Sequence, residues 1–205
     1  RIIFTGGKLS FFLITMLSVP IIVECEYFLR IWLKDFPAYT IVLTRLVLLL
    51  SIVECFNYTI GTAIQATGKI KWYQIVVSGL SLFNFPITYL AYRLGAEPYV
   101  ALMISIAISS VTLAIRLCFL KKHLGIAQTT YIKKVIVRVV PTAIAAIATA
   151  YLVHINFQAG TLRTILVIAS SLLTTLLMMW ATGLTEDEKD ALKNIVNSKI
   201  KRTSL

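Results

Sequence analysis

Apolar positions along this chain gather into six long runs, at about Leu9–Leu29, Ile41–Ala63, Trp72–Tyr92, Tyr99–Leu120, Val135–His154 and Leu162–Leu184. Each run holds about 20 residues or slightly more, and a helix rising about 1.5 Å per residue needs about 20 to cross a hydrocarbon core of about 30 Å. The runs are continuous, whereas barrel strands would alternate over about ten residues, so they predict transmembrane helices. The expected fold is all-α: a polytopic six-transmembrane-helix bundle over residues 1–184, followed by a cytoplasmic amphipathic tail over 185–205. Thr185 and Glu188 have the spacing of a capping box, with Glu186 and Asp187 between them. Leu192, Ile195, Val196 and Ile200 then share one helical face, opposite Asp190, Asn194, Asn197 and Lys201, as in a helix lying on a membrane surface. A plain structural tail and a docking surface both suit it.

Charge orients this pattern. Fourteen Lys and Arg fall on one side of the spans: Arg1, Lys8, the 69/71 and 121/122 pairs, Lys133, Lys134, Arg138 and five residues of the tail. Four fall on the other: Arg30, Lys34, Arg93 and Arg163. The excess marks the first side as cytoplasmic, with both termini of the segment there. Tyr27, Trp32, Tyr39, Trp72, Tyr92, Tyr99 and Trp180 lie near predicted span ends, where amphipathic rings suit the interface. A composition 58% hydrophobic is more than a soluble surface of this size could hide. The net charge of +11 sits beside the spans, which makes membrane lipids, not nucleic acid, the expected partner. The chain begins at Arg1 and enters a span within ten residues, so a piece of a longer protein is expected.

Polar residues inside the spans carry the candidate chemistry. Span two holds Ser51, Glu54, Tyr58, Gly61 and Gln65 at helical spacing, with Asn57 adjacent. A charged carboxylate facing lipid at mid-span costs roughly 2.5–3.5 kcal/mol, so Glu54 is expected to face protein or water, either as a proton or cation site or as a hydrogen-bonded structural residue. Arg45 is nine residues from Glu54, on the opposite face of a straight helix; snorkelling and cavity lining are both open to it. In span four, Ser105, Ser109, Thr112 and Arg116 recur on one face, which reads either as a packing seam or as a polar stripe lining a cavity. Span three clusters Ser78, Ser81, Asn84 and Thr88 around Pro86, and spans one and five contain Pro20 and Pro141, where bends are expected. Thr142, Ala146 and Ala150 in span five form a small-residue packing seam.

Other chemistries find little support. No Gly-rich phosphate loop, zinc-binding His pair or nucleophile elbow is present, and the outer loops are too short for a catalytic platform, so an enzyme is not expected. Cys25, Cys55 and Cys118 are odd in number and lack metal-ligand spacing; they read as packing residues. His123 in a basic loop, His154 at a span end, and Glu24 and Glu26 at the outer end of span one read as solvated or interfacial. No metal or cofactor is expected.

Two stretches carry a family resemblance: Phe28-Leu29-Arg30-Ile31-Trp32-Leu33-Lys34-Asp35-Phe36-Pro37-Ala38-Tyr39-Thr40, and Gly61-Thr62-Ala63-Ile64-Gln65-Ala66-Thr67-Gly68-Lys69-Ile70-Lys71. With Phe85-Pro86 and the Gly183-Leu184-Thr185 exit, they make the chain resemble the C-terminal half of a Wzx-type polysaccharide or O-antigen flippase. These belong to the multidrug/oligosaccharidyl-lipid/polysaccharide exporter superfamily. The resemblance implies two six-helix lobes around a central cavity, of which this would be the second, with a missing N-terminal lobe of the same chain as its partner. It implies a bacterial cytoplasmic (inner) membrane protein of lipopolysaccharide or capsule biosynthesis. The cargo would be an undecaprenyl-pyrophosphate-linked oligosaccharide, moved by alternating access and coupled to an ion gradient. The first, second and fourth helices of the lobe would face the cavity. On this reading Arg45 and Arg116 meet a pyrophosphate or acidic sugar and Glu54 takes a proton or cation. Asn57, Ser109 and Thr112 line the pathway, and Gln65, Lys69 and Lys71 form a cytoplasmic gate or headgroup contact. A drug or organic-cation antiporter of the same superfamily and a non-transporting membrane scaffold subunit are the alternatives. The first would favour acids and aromatics in its cavity; the second needs no polar stripes within its spans.

Overall fold

In a computed structural model, residues 2–68 and 70–184 are described. Lys69 and the amphipathic tail at 185–205 lie outside them. The described chain is all-α, with no strand: α1 (Ile2–Val23), α2 (Cys25–Leu33), α3 (Thr40–Gln65), α4 (Lys71–Leu82), α5 (Asn84–Arg93), α6 (Val100–Leu124), α7 (Gln128–Tyr131), α8 (Val137–Asn156) and α9 (Thr161–Met178). Short π-helical stretches, Ile132–Ile136 and Met179–Gly183, precede α8 and extend α9. Six helical segments among the described residues are long and apolar enough to cross a membrane: Ile3–Val23, Thr40–Gln65, Lys71–Arg93, Val100–Leu124, Gln128–Asn156 and Thr161–Gly183. The chain is thus a multi-pass membrane protein of the expected class.

The first span differs from the sequence expectation. It starts at Ile3 and ends at Val23, some six residues earlier than the apolar run suggests. The chain breaks at Glu24 and restarts as the separate helix α2. Lys8, counted above as a loop charge, therefore lies in the second turn of α1 and is buried. A polar residue close to a predicted end cannot be assigned to loop or helix by hydropathy alone, because one helical neighbour can shield it.

Two of the span prolines act one turn upstream of themselves. Pro86 lacks an N–H and its ring crowds the carbonyl four residues back, at Leu82; α4 ends at Leu82 and α5 starts at Asn84. Pro141 stands in α8, and the wide π turn ends just before Val137, the residue whose carbonyl it leaves without its helical partner. Pro20 is accommodated inside α1 without a break there. Gly125 closes α6 in the left-handed region, φ 68°, with its N–H donating to the Lys121 carbonyl.

Packing makes α1 and α3 the centre. The helix α1 packs on α3, α8 and α9; α6 packs on α3 and, on its other side, on α4 and α5. One core cluster joins Phe11, Phe12, Phe56, Ile60, Ile64, Tyr73, Leu117, Leu120 and Tyr131, with Phe11 stacked on Phe56 at 5.1 Å between ring centroids. A smaller cluster of Val19, Ala146, Ala150 and Val167 holds α1, α8 and α9. Thr142, Ala146 and Ala150 form the seam on α8. Its counterpart on α9 is Thr164, Val167, Ser171 and Thr175, all buried at helical spacing. Small side chains on both faces let the backbones approach closely where lipid offers no hydrophobic drive for association.

Of the polar cluster in span three only Asn84 bonds another helix, while Ser78 and Ser81 are exposed and bond within α4. Asn84 Nδ2 donates to Ser105 Oγ at 2.9 Å, and Thr88 Oγ1 donates to Asn84 Oδ1 at 3.1 Å. Elsewhere α4 and α5 expose Trp72, Ile75, Leu82, Phe85 and Leu90, as a lipid-facing surface would. Asn84→Leu is expected to cost about 1–2 kcal/mol, the range of an interhelical hydrogen bond in a membrane. A denaturant titration in detergent that finds no change would remove this bond from the α5–α6 contact.

Candidate functional site

The sequence candidates separate into groups at different depths. Arg45 and Gln65, twenty residues apart on α3, stand about 30 Å from each other along the helix axis. Gln65 and Lys71 are exposed, one at the end of α3 and one at the start of α4. Glu54, Asn57, Ser109, Thr112 and Arg116 come together at mid-span, where α3 meets α6.

These mid-span residues form one hydrogen-bonded thread. Arg116 Nη1 donates to the Asn57 carbonyl at 2.7 Å. Asn57 Nδ2 donates to Ser109 Oγ at 2.8 Å and to the Ser109 carbonyl at 3.1 Å. Ser109 Oγ in turn donates to Glu54 Oε1. The side-chain donors thus run from Asn57 through Ser109 to Glu54, which accepts at the end of the thread. Thr112 is buried beside the thread, but its hydroxyl returns to the Ile108 carbonyl of its own helix. Asn57 is 1% exposed, and its Oδ1 is buried with no partner among the described residues.

Gly61 makes the thread possible. A Cβ there would run into Arg116 Nη1 and lie 3.0 Å from the Tyr73 hydroxyl oxygen. The missing side chain leaves room for the guanidinium, whose Cζ lies 5.6 Å from the centroid of the Tyr73 ring. Arg116 is therefore held inside the protein, between α3, α4 and α6, and does not snorkel. Arg116 Nε is buried without a partner among the described residues.

A separate open groove lies between α1 and α3, and none of the thread residues lines it. Ile3, Gly6 and Ser10 of α1, Tyr58, Thr59, Thr62, Ala63 and Ala66 around α3, and Leu124 of α6 line a hollow of about 770 Å³. Small and hydroxyl side chains leave this space unfilled. Tyr58, exposed in it, is one helical turn from Glu54.

The end of the bundle that holds α2 contains a second polar centre, which sequence reasoning missed. Glu24, read above as interfacial, is 2% exposed. His154 Nδ1 lies 2.7 Å from its Oε1, and Arg163 Nη2 donates to its Oε2 at 2.8 Å. The carboxylate thus ties the α1–α2 break to the end of α8 and the start of α9. Tyr27 and Thr161 join the same elements through a 2.6 Å hydroxyl pair. Arg45 lies at this end and not in the mid-span thread: its Nε donates to the Ile22 carbonyl in the last turn of α1, 3.1 Å away. Burial pushes the Cys25 thiol above its ordinary pKa, with the nearby Arg45 guanidinium pulling the other way. One signal was available in the sequence: an acid and two basic residues at the same ends of three different spans. Hydropathy gives their common depth but not that spans one, five and six touch.

Among the described residues no group of His, Cys, Asp and Glu is placed to hold a metal ion. Compared with family models, curated proteins and solved structures, the chain gives no match.

Proposed function

We propose that this chain is one lobe of a flippase for lipid-linked oligosaccharide, moving undecaprenyl-pyrophosphate-linked repeat units across a bacterial cytoplasmic membrane with both ends of the segment cytoplasmic. The observation that carries the reading is the groove between α1 and α3, which Leu124, the last residue of α6, closes at one end. These three helices are the first, second and fourth spans, the helices that the family resemblance assigns to a central cavity. A polar thread with one acid and one arginine runs along two of them. In the proposed mechanism the groove, covered by a second lobe, takes the glycan and headgroup. Glu54, one turn above Tyr58, binds the coupling proton or cation. Ser109 and Asn57 orient its carboxylate, and Arg116 anchors α6 to α3. Gln65, Lys69 and Lys71 are assigned to the cytoplasmic mouth. Export of surface glycan by Glu54→Gln and Arg116→Ala variants tests this. Both are expected to lose most export at normal expression, and normal export by both would remove their roles.

A second reading has its own support. Arg116 is packed against Tyr73 and Gly61 and bonded to backbone, as in a static seam. That suits a non-transporting scaffold subunit, for which both variants would lower protein level and glycan output together.

A further inference from the structure

We propose that the α2 end of the bundle holds a binding site for the phosphate of an anionic membrane lipid, separate from the mid-span thread and independent of the flippase reading. A hollow of about 460 Å³ opens there, and its charged lining is Glu24, Glu26, Arg30, Arg45, His154 and Arg163. The carboxylates are already engaged: Glu24 by His154 and Arg163, and Glu26 by Arg30, whose Nη2 lies 2.7 Å from Oε1. Three guanidiniums thus face two carboxylates, which leaves one positive charge over. It resides on Arg45, whose only hydrogen-bond partner among the described residues is the Ile22 carbonyl, taken by Nε. Both terminal nitrogens of Arg45 remain as a planar donor pair, the geometry that takes two oxygens of a phosphate. The Arg163 Nε–H is also buried without an acceptor among the described residues, so the wall behind the hollow has surplus donor character.

Depth selects a lipid as the source of that phosphate. Val23, whose position ends the first span, lines the hollow, and Arg45 lies in the second turn of α3, so the site is at the level of the headgroups. Beside it α2 exposes Ile31 and Trp32, the latter 83% exposed, an apolar flank for the glycerol backbone and upper acyl chain. A phosphodiester with one net charge matches the single uncompensated guanidinium.

The test is native mass spectrometry of the purified protein in detergent, titrated with phosphatidylglycerol, phosphatidylcholine or inorganic phosphate. Phosphatidylglycerol is expected to be retained at least about fivefold better than phosphatidylcholine. Arg45→Gln is expected to lose this preference and Arg45→Lys to keep part of it. Arg93→Gln, an exposed arginine outside the hollow, is expected to leave it unchanged. Each variant is compared by size exclusion, because Arg45 also bonds the end of α1. Equal loss in Arg45→Gln and Arg93→Gln, or no lipid preference in the wild type, overturns the site. Displacement of the lipid by millimolar phosphate would instead assign the same site to a soluble anion and overturn the lipid source.

Discussion

Glu24→Ala is expected to destabilise the protein by about 3–5 kcal/mol, the cost of removing one partner from a buried ion pair. The Glu24 side chain is 1% exposed and that of Arg163 14% exposed. Alanine would leave the largely buried Arg163 guanidinium, in the wall of the hollow at the α2 end, without its carboxylate. His154 would lose its partner at Nδ1 as well. The consequence reaches beyond one bond, because this carboxylate connects the broken end of α1 to both α8 and α9. Glu24→Gln, which keeps the shape and some hydrogen bonding, is expected to lose less. Glu24→Ala combined with Arg163→Leu should recover much of the deficit, since no unpaired charge is then buried. Unfolding followed by tryptophan fluorescence in detergent measures the series. Single and double variants that unfold alike would show that the pair is not coupled.

Gly61→Leu is the second large effect. A Cβ at this position already collides with Arg116 Nη1, so a leucine must drive the guanidinium off the Asn57 carbonyl and away from Tyr73. Overpacking of this kind costs about 1–3 kcal/mol. Arg116, displaced from its backbone acceptor, would then be a buried or lipid-facing charge, which adds to the loss. Gly61→Leu/Arg116→Ala is expected to be more stable than Gly61→Leu alone, because the displaced charge is gone. Comparing the two single variants with the double by denaturant unfolding isolates the coupling. Strict additivity would mean that Gly61 is not what makes room for Arg116.

Most of the architecture could be read from the order of residues, and most of the site could not. The six spans and the small-residue seam of α8 follow from local pattern, because a helix in lipid satisfies its own backbone and needs only length and apolarity. The upstream action of Pro86 is local too, since its geometry reaches only four residues back. Glu54, Asn57, Ser109 and Arg116 were each visible as polar residues in an apolar run, but their connection was not. Asn57 and Ser109 are 52 residues apart, and nothing in either span states which face meets the other. The same limit hid Glu24, whose partners are 130 and 139 residues away. It also grouped Arg45 with Arg116, although the fold puts Arg45 at the mouth of a different hollow.

Taken by itself, the sequence determined an all-α membrane protein and the approximate extent of its spans. Hydrophobic length and helical periodicity are properties of neighbouring residues, and the bilayer acts on each span separately. Tertiary structure alone decided that α1 stands between α3 and the α8–α9 pair, that Arg116 is housed against Gly61 and Tyr73, and that Glu24 is the buried clasp of one end. Those outcomes depend on which helix faces pack together. In lipid that choice is made by small-residue fit and by pairing of buried polar groups, not by hydropathy.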